Sequence, residues 1–312
     1  MKIAIMGAGG VGAYYGGLLA QAGHDVVFIA RGAHLLALRE KGLRVNSVLG
    51  SFNLSAVRAT DDPSEAGAAD LVIVATKTYH TEEAARAIRP MITPGTVVVS
   101  LQNGVDAAER IGTVVGKDHV MGGATWLSAA IEAPGVIGQY SQFRRIVLGE
   151  LDGRITSRAE AVAEAFRPTP AKVELVTGIS QVLWTKFVFI SAISALGGLT
   201  RVTLGAYRQV PEARAALVEA MSEVAAVARA RGVDMERDIV SKTLAFIDSA
   251  DPDIKPSMQR DIEAGRVSEL ESMIGVVVNL GRELGVPTPV MQFAYAVLEP
   301  SYLMARNAVP GQ

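Results

Sequence analysis

Between Trp184 and Leu199 the chain reads WTKFVFISAISALGGL, and Lys186 is the one charge in it. Helical spacing puts Trp184, Val188, Ser191 and Ala195 on one face and Lys186, Ile190, Ile193 and Gly197 on another. Neither is a solvated face, so this is a helix buried on most sides. A lysine there needs a partner or a job. An ammonium beside a ketone oxygen can stabilise the negative charge left by hydride addition and supply the proton. Apolar surroundings lower its pKa and make it a better acid, and a nearby carboxylate opposes that shift. By spacing alone, Lys186 is equally a lysine reaching solvent from the helix's first turn.

Other chemistry-bearing residues have ordinary structural readings beside them. Ser268 and Glu271 have the spacing of a capping box, which makes Glu269 the first residue of a helix, where an acid suits the dipole. Ser257, before MQRDIEAG, has the place of an N-cap. Asn103-Gly104 reads as a turn, and Lys77 as a loop charge.

The N-terminal elements suggest what these groups would work with. KIAIM (2 to 6) is a short apolar strand, followed by GAGGVG, the helical AYYGGLLAQAG, and a second strand, DVVFIA (25 to 30). Gly7, Gly9 and Gly12 form the G-x-G-x-x-G order between strand and helix that a dinucleotide site requires. Gly7 suits the tight turn, Gly9 lets backbone approach a pyrophosphate, and Gly12 lets helix and strand pack closely. The helix start, with the amides of Gly10 and Val11, would favour the phosphates. The second strand ends in Ala30 and Arg31, with no acid for ribose hydroxyls. An arginine there can hold a 2′-phosphate, which selects NADP. LVIVATK ends in Thr76 and Lys77, and TVVVSLQNG in Gln102, Asn103 and Gly104. In a doubly wound sheet the carboxyl ends of parallel strands face one crevice, so Lys77 and Asn103 should point toward the cofactor, with Gln102 a further cofactor-binding candidate.

Segments HVMGGATWLSAAI, GVIGQYS and RRIVLGE are short and β-like and read as extensions of the same sheet, with AKVELV (171 to 176) the last strand. From Ile179 onward no strand is evident. EARAALVEAMSEVAAVARARG and DIVSKTLAFIDSA are amphipathic helices. A further helix from Ser268 carries a stripe of Met273, Val276, Val277, Leu280 and Leu284, and stops at Gly285 and Pro287. The fold class is therefore an N-terminal α/β doubly wound (Rossmann-type) domain, 1–177, followed by an all-α domain, 178–312. Substrate would bind in a cleft between them.

Composition bounds the rest. The 312 residues suffice for about two domains. With 49% hydrophobic and 20% charged residues the chain is globular, and a net charge of −2 offers no basic field for nucleic acid. There is no cysteine, which excludes thiolate catalysis and cysteine metal sites and fits a cytoplasmic protein. His24, His34, His80 and His119 lack ligand spacing, so no metal is expected. The N-terminus lacks a signal peptide's long apolar core. Lys186 and two glycines argue against a membrane span at 184 to 199. The apolar helical half could carry a homodimer interface, or its stripes could be core.

Together these residues resemble the ketopantoate reductases (2-dehydropantoate 2-reductases) over essentially the whole chain. The match comprises GAGGVG, Arg31, Lys77, the Gln-Asn-Gly at 102 to 104, the Trp-x-Lys at 184 to 186 and PSMQRDIEAGRVSE at 256 to 269. The last segment is the most specific and the glycine motif the least. The resemblance implies a Rossmann domain followed by a helical domain like the C-terminal domain of 6-phosphogluconate dehydrogenase. It also implies NADPH-dependent reduction of ketopantoate to pantoate, in pantothenate biosynthesis. By resemblance Lys186 would be the general acid, and Glu269 would bind substrate and orient the lysine. Ser257 would bind the substrate's carboxylate end, Asn103 would line the nicotinamide and substrate site, and Arg31 and Lys77 would hold the 2′-phosphate.

Three positions depart from the family's pattern. Asparagines usual four and eight residues after the lysine are Ile190 and Ser194, and the asparagine usual five residues after the glutamate is Ile274. Each change removes an amide that could bond substrate, which favours a more apolar one. Three functions follow: a ketopantoate reductase, a paralogous reductase of another 2-oxo acid or carbonyl compound, and a non-catalytic NADP-binding sensor. A sensor would need neither Lys186 nor Glu269.

Overall fold

The computed structural model describes residues 1–308. They divide into two compact units: Met1–Gln102 with Asp106–Ile179, and Asn103–Val105 with the chain from Ser180 on. The three residues after Gln102 thus belong to the helical unit, which the expected division at 177 and 178 does not include.

The first unit contains twelve strands among the described residues: β1 (Lys2–Met6), β2 (Asp25–Ile29), β3 (Leu43–Ser47), β4 (Phe52–Leu54), β5 (Arg58–Thr60), β6 (Leu71–Val74), β7 (Val97–Ser100), β8 (Val120–Trp126), β9 (Ala129–Ala133), β10 (Val136–Gln139), β11 (Arg145–Glu150) and β12 (Lys172–Leu175). Eight form one sheet in the order β12-β11-β8-β7-β6-β1-β2-β5. β1, β2, β6 and β7 read as near-continuous apolar runs because both faces of the sheet are covered. β1 pairs in parallel with β2 on one side and with β6 on the other. The strand order therefore reverses at β1, and the crevice outside the carboxyl ends lies there.

β9 and β10 do not extend this sheet. They join β3 and β4 in a second one, ordered β4-β3-β10-β9. The helix Gly10–Gln21 runs between the two sheets, and its glycines allow that. A Cβ on Gly10 would come within 2.4 Å of the Ala129 carbonyl oxygen, and one on Gly16 within 2.6 Å of the Phe28 ring. A strand's periodicity says which residues face a core, not which of two sheets it joins.

The second unit is helical among its described residues. The helices are Ile179–Thr200, Leu204–Arg208, Pro211–Ala230, Ile239–Ser249, Ser257–Glu263, Val276–Leu284 and Pro289–Asn307; Ile179 itself belongs to the first unit. Ile179–Thr200 is long and apolar enough to cross a membrane, but 61% of its apolar 18-residue window is buried inside the protein, as in a core helix. A buried carboxylate, Glu223, accepts hydrogen bonds from the amides of Val290 and Met291 at the start of the last helix, at 2.7 and 2.9 Å.

The segment after Glu269 departs from the expected cap. Glu271 accepts a hydrogen bond from the Tyr295 hydroxyl at 2.8 Å, and Leu270, not Ser268, precedes the first turn. That turn, Glu271–Gly275, is a π-helix. Its extra residue rotates everything that follows, so the buried stripe is Met273, Ile274, Val277, Val278 and Gly281, while Val276 and Leu280 are half-buried and Leu284 is exposed. Nor is Ser257 a cap: Pro256 holds that position and Ser257 is the first helical residue.

Gly12 and Gly9 can be told apart by their surroundings. A Cβ on Gly12 would lie 2.2 Å from the Gly7 carbonyl oxygen, whereas one on Gly9 meets nothing within 4 Å. Gly12→Ala should therefore lose about 2 kcal/mol of unfolding free energy by overpacking. Gly9→Ala should stay within about 0.5 kcal/mol of the parent. Urea denaturation of the two variants measures both values.

Candidate active site

In the first unit the carboxyl ends of β1, β2, β6 and β7 deliver the residues singled out by sequence. Gly7 has φ of 97°, a backbone state that suits glycine, and makes the turn after β1. Gly9 is the N-cap of the helix Gly10–Gln21, where no side chain caps the amides and the first turn carries no acid. The first-turn amides of Gly10, Val11 and Gly12 have no helical acceptor by construction. With open space at Gly9, this loop fits a pyrophosphate: donors and dipole are present, and a side chain would fill the space a phosphate needs.

Arg31 sits two residues after the second strand, at the N-cap of the helix Gly32–Lys41, and is largely exposed. Its Nη2 donates to Glu83 Oε1 at 2.6 Å. Glu83 also bonds His80 Nδ1, at 2.9 Å, and the Arg31 hydrogen bond holds its carboxyl below the usual carboxylate range. The absence of an acid in the second strand is thus offset by one brought in from the helix Thr81–Ala87, which spacing near Arg31 could not reveal.

Gln102 is engaged by internal contacts. Its side-chain amide is buried and donates to the Thr76 carbonyl oxygen at 3.0 Å and to Thr81 Oγ1 at 3.0 Å, while its Oε1 accepts from Ser100 Oγ at 3.0 Å. These bonds lock the loop after β6, in which Lys77 stands just before a short 3-10 turn, Thr78–His80. Gln102 therefore positions the Lys77 loop through internal contacts.

In the second unit, Lys186 and Asn103 come together. Lys186 Nζ donates to Asn103 Oδ1 at 2.8 Å. Loss of hydration pushes the lysine pKa down to about 8, and the charge of Glu269 opposes that shift. Glu269 is itself buried, 6% exposed, so its charge acts where solvent screens it little. The lysine is therefore held, not reaching for solvent. Its helix is tied to the π-turn after Glu269 by Ser191 Oγ, which donates to the Met273 carbonyl oxygen at 2.5 Å. Farther along, a Cβ on Gly197 would lie 3.4 Å from Pro256 Cγ, so the segment carrying Ser257 packs on this same helix.

The three departures from the expected asparagines differ in access. Ile274 is 0% exposed and Ser194 1% exposed. Ile190 is only half-buried. Of the three, Ile190 alone presents surface that a ligand could touch. No cluster of three or more histidine, aspartate or glutamate residues suited to a metal ion occurs among the described residues.

The two units, a doubly wound sheet with a glycine-loop helix and a helical unit bearing a desolvated lysine, define a two-part oxidoreductase architecture. Residues 3–153 match the family described as ketopantoate reductase PanE/ApbA, and residues 178–301 match that family's C-terminal domain. The chain belongs to the ketopantoate reductase family. It is 30% identical over 299 residues to an uncharacterized oxidoreductase, YkpB, of Bacillus subtilis, covering 96% of this chain and 98% of that protein. It is 30% identical over 293 residues to a 2-dehydropantoate 2-reductase of Halobacterium salinarum, covering 94% of this chain and 96% of that protein. Among solved structures, a 2-dehydropantoate 2-reductase from Geobacter metallireducens superposes with a TM-score of 0.91 at 31% identity, covering 96% of this chain and 100% of that one.

Glu269 supports the protonated lysine, so Glu269→Gln should lower the Lys186 pKa below about 8. A pH titration of the lysine ε-carbon resonances by NMR reads this directly. An unchanged or raised value would mean that the carboxylate does not act on the ammonium.

Proposed function

We propose that this protein is an NADPH-dependent reductase of a 2-oxo acid, with ketopantoate the first candidate and pantoate the product. The observation that carries the reading is the Lys186–Asn103 hydrogen bond on a lysine whose pKa is lowered to about 8. A general acid works best with a pKa near the operating pH, and an unshifted lysine would be too weak an acid.

A bound nicotinamide supplies the hydride. The glycine loop Gly7–Gly12 holds the pyrophosphate through backbone amides, and Arg31 and Lys77 hold the 2′-phosphate. Lys186 Nζ hydrogen-bonds the substrate's keto oxygen, stabilises its developing charge and donates the proton. Asn103 Oδ1 accepts one N–H of that ammonium and so fixes the direction of the others. Glu269 keeps the lysine protonated and orients it, and Ser257 takes the carboxylate end of the substrate. The reaction would take place in the cytoplasm, where the reduced cofactor is available.

A second reading has its own observation. Ile190 offers an apolar surface where the resemblance would have an amide, so a 2-oxo acid with a more apolar chain would keep its contacts while a polar one would lose a partner. NADPH absorbance followed on adding ketopantoate, beside a panel of other 2-oxo acids, decides between them. Turnover on ketopantoate above the rest of the panel supports the first reading. Turnover on an apolar 2-oxo acid instead supports the second. NADPH binding without turnover on any carbonyl compound would contradict both and leave a sensor. Lys186→Ala should lower kcat by about 10²- to 10⁴-fold with NADPH affinity unchanged. A variant with normal turnover would remove the lysine from the mechanism.

A further inference from the structure

Glu83 lies outside every motif that the family resemblance absorbs, yet it makes a short contact with the residue read as the cofactor-selecting one. Its carboxylate takes Arg31 Nη2 at 2.6 Å on one oxygen and His80 Nδ1 at 2.9 Å on the other. The neighbouring Glu82 turns to Arg110 instead, with contacts of 2.7 and 2.8 Å, so it does not share the role. A guanidinium that holds a 2′-phosphate by two bonds needs its donors. Here Nη2 already points to a carboxylate, and that carboxylate carries the same sign of charge as the incoming phosphate.

We propose that Glu83 is a specificity-determining residue for the nicotinamide cofactor. It competes with the 2′-phosphate for Arg31 and thereby lowers the preference for NADPH over NADH. The idea rests on the reading of Arg31 as a phosphate ligand. His80 gives the arrangement a second state: when Arg31 turns to a phosphate, the Glu83 carboxylate keeps one hydrogen-bond partner. With NADH there is no phosphate, the Arg31–Glu83 pair stays closed, and the cofactor binds without displacing it. The pair is exposed, with about half of each side chain in solvent or more, so the competition is modest and the preference adjustable.

The test compares Glu83→Gln, Arg31→Ala and the parent by fluorescence titration with NADPH and NADH separately, with thermal melting to show that each variant is folded. Glutamine keeps the shape and loses the charge. For Glu83→Gln the expected result is NADPH bound about fivefold more tightly, with NADH affinity changed less than twofold. Arg31→Ala should lose NADPH affinity by more than tenfold and leave NADH nearly untouched. If Arg31→Ala behaves so but Glu83→Gln leaves the NADPH-to-NADH ratio unchanged, the proposal is overturned and the reading of Arg31 stands. If Glu83→Gln weakens NADH and not NADPH, Glu83 is a ribose ligand and the proposal is again overturned. If Arg31→Ala leaves NADPH affinity unchanged, the reading of Arg31 fails and the proposal with it.

Discussion

A positive charge on a helix with no solvated face is the constraint around which the helical unit is organised. The Lys186 ammonium loses hydration there and its pKa falls to about 8. Desolvation alone would favour a neutral amine. Two groups counter it: the Asn103 side-chain oxygen, at 2.8 Å, and the charge of Glu269. Neither is near Lys186 in sequence. The loop after β7 contributes Asn103–Val105 to this unit, and the π-turn that follows Glu269 is tied to the lysine's helix through Ser191.

The sheet unit depends on a different constraint, close backbone approach. A Cβ on Gly12 would collide with the Gly7 carbonyl, and one on Gly10 with the Ala129 carbonyl, while Gly9 has free space in front of it. The first two positions serve packing, and the third is open. The six-residue motif thus combines two close-packed positions with one open one, which explains why it marks a strand–turn–helix unit more securely than it names a cofactor. The cofactor's identity rests on Arg31, and Arg31 is already engaged by Glu83.

Much of this was legible in the sequence, for identifiable reasons. KIAIM, DVVFI and LVIV are buried on both faces and so read as continuous apolar runs. Lys186 stood out because a single charge interrupts sixteen residues of apolar helix. What could not be read were features set by tertiary contacts. β9 and β10 have the same local pattern as strands of the main sheet, yet they pair with β3 and β4. The capping-box spacing at Ser268 and Glu271 was present, but Glu271 bonds Tyr295 instead, and a π-turn shifts the stripe that α-helical spacing assumed. The hydrogen bonds by which the Gln102 amide holds the loop that carries Lys77 had no local signal either. Glu83 had no signal near Arg31, fifty-two positions away.

The central claim is that the protonated form of Lys186 donates the proton in carbonyl reduction. The pH dependence of kcat/KM for the 2-oxo acid that turns over, followed by nicotinamide absorbance from pH 6 to pH 10, tests it most directly. A rate that is level at low pH and falls tenfold per unit above a break near 8 is the predicted result, because the acid form is lost there. A rate that stays level through pH 10 would contradict it and assign the proton to another group.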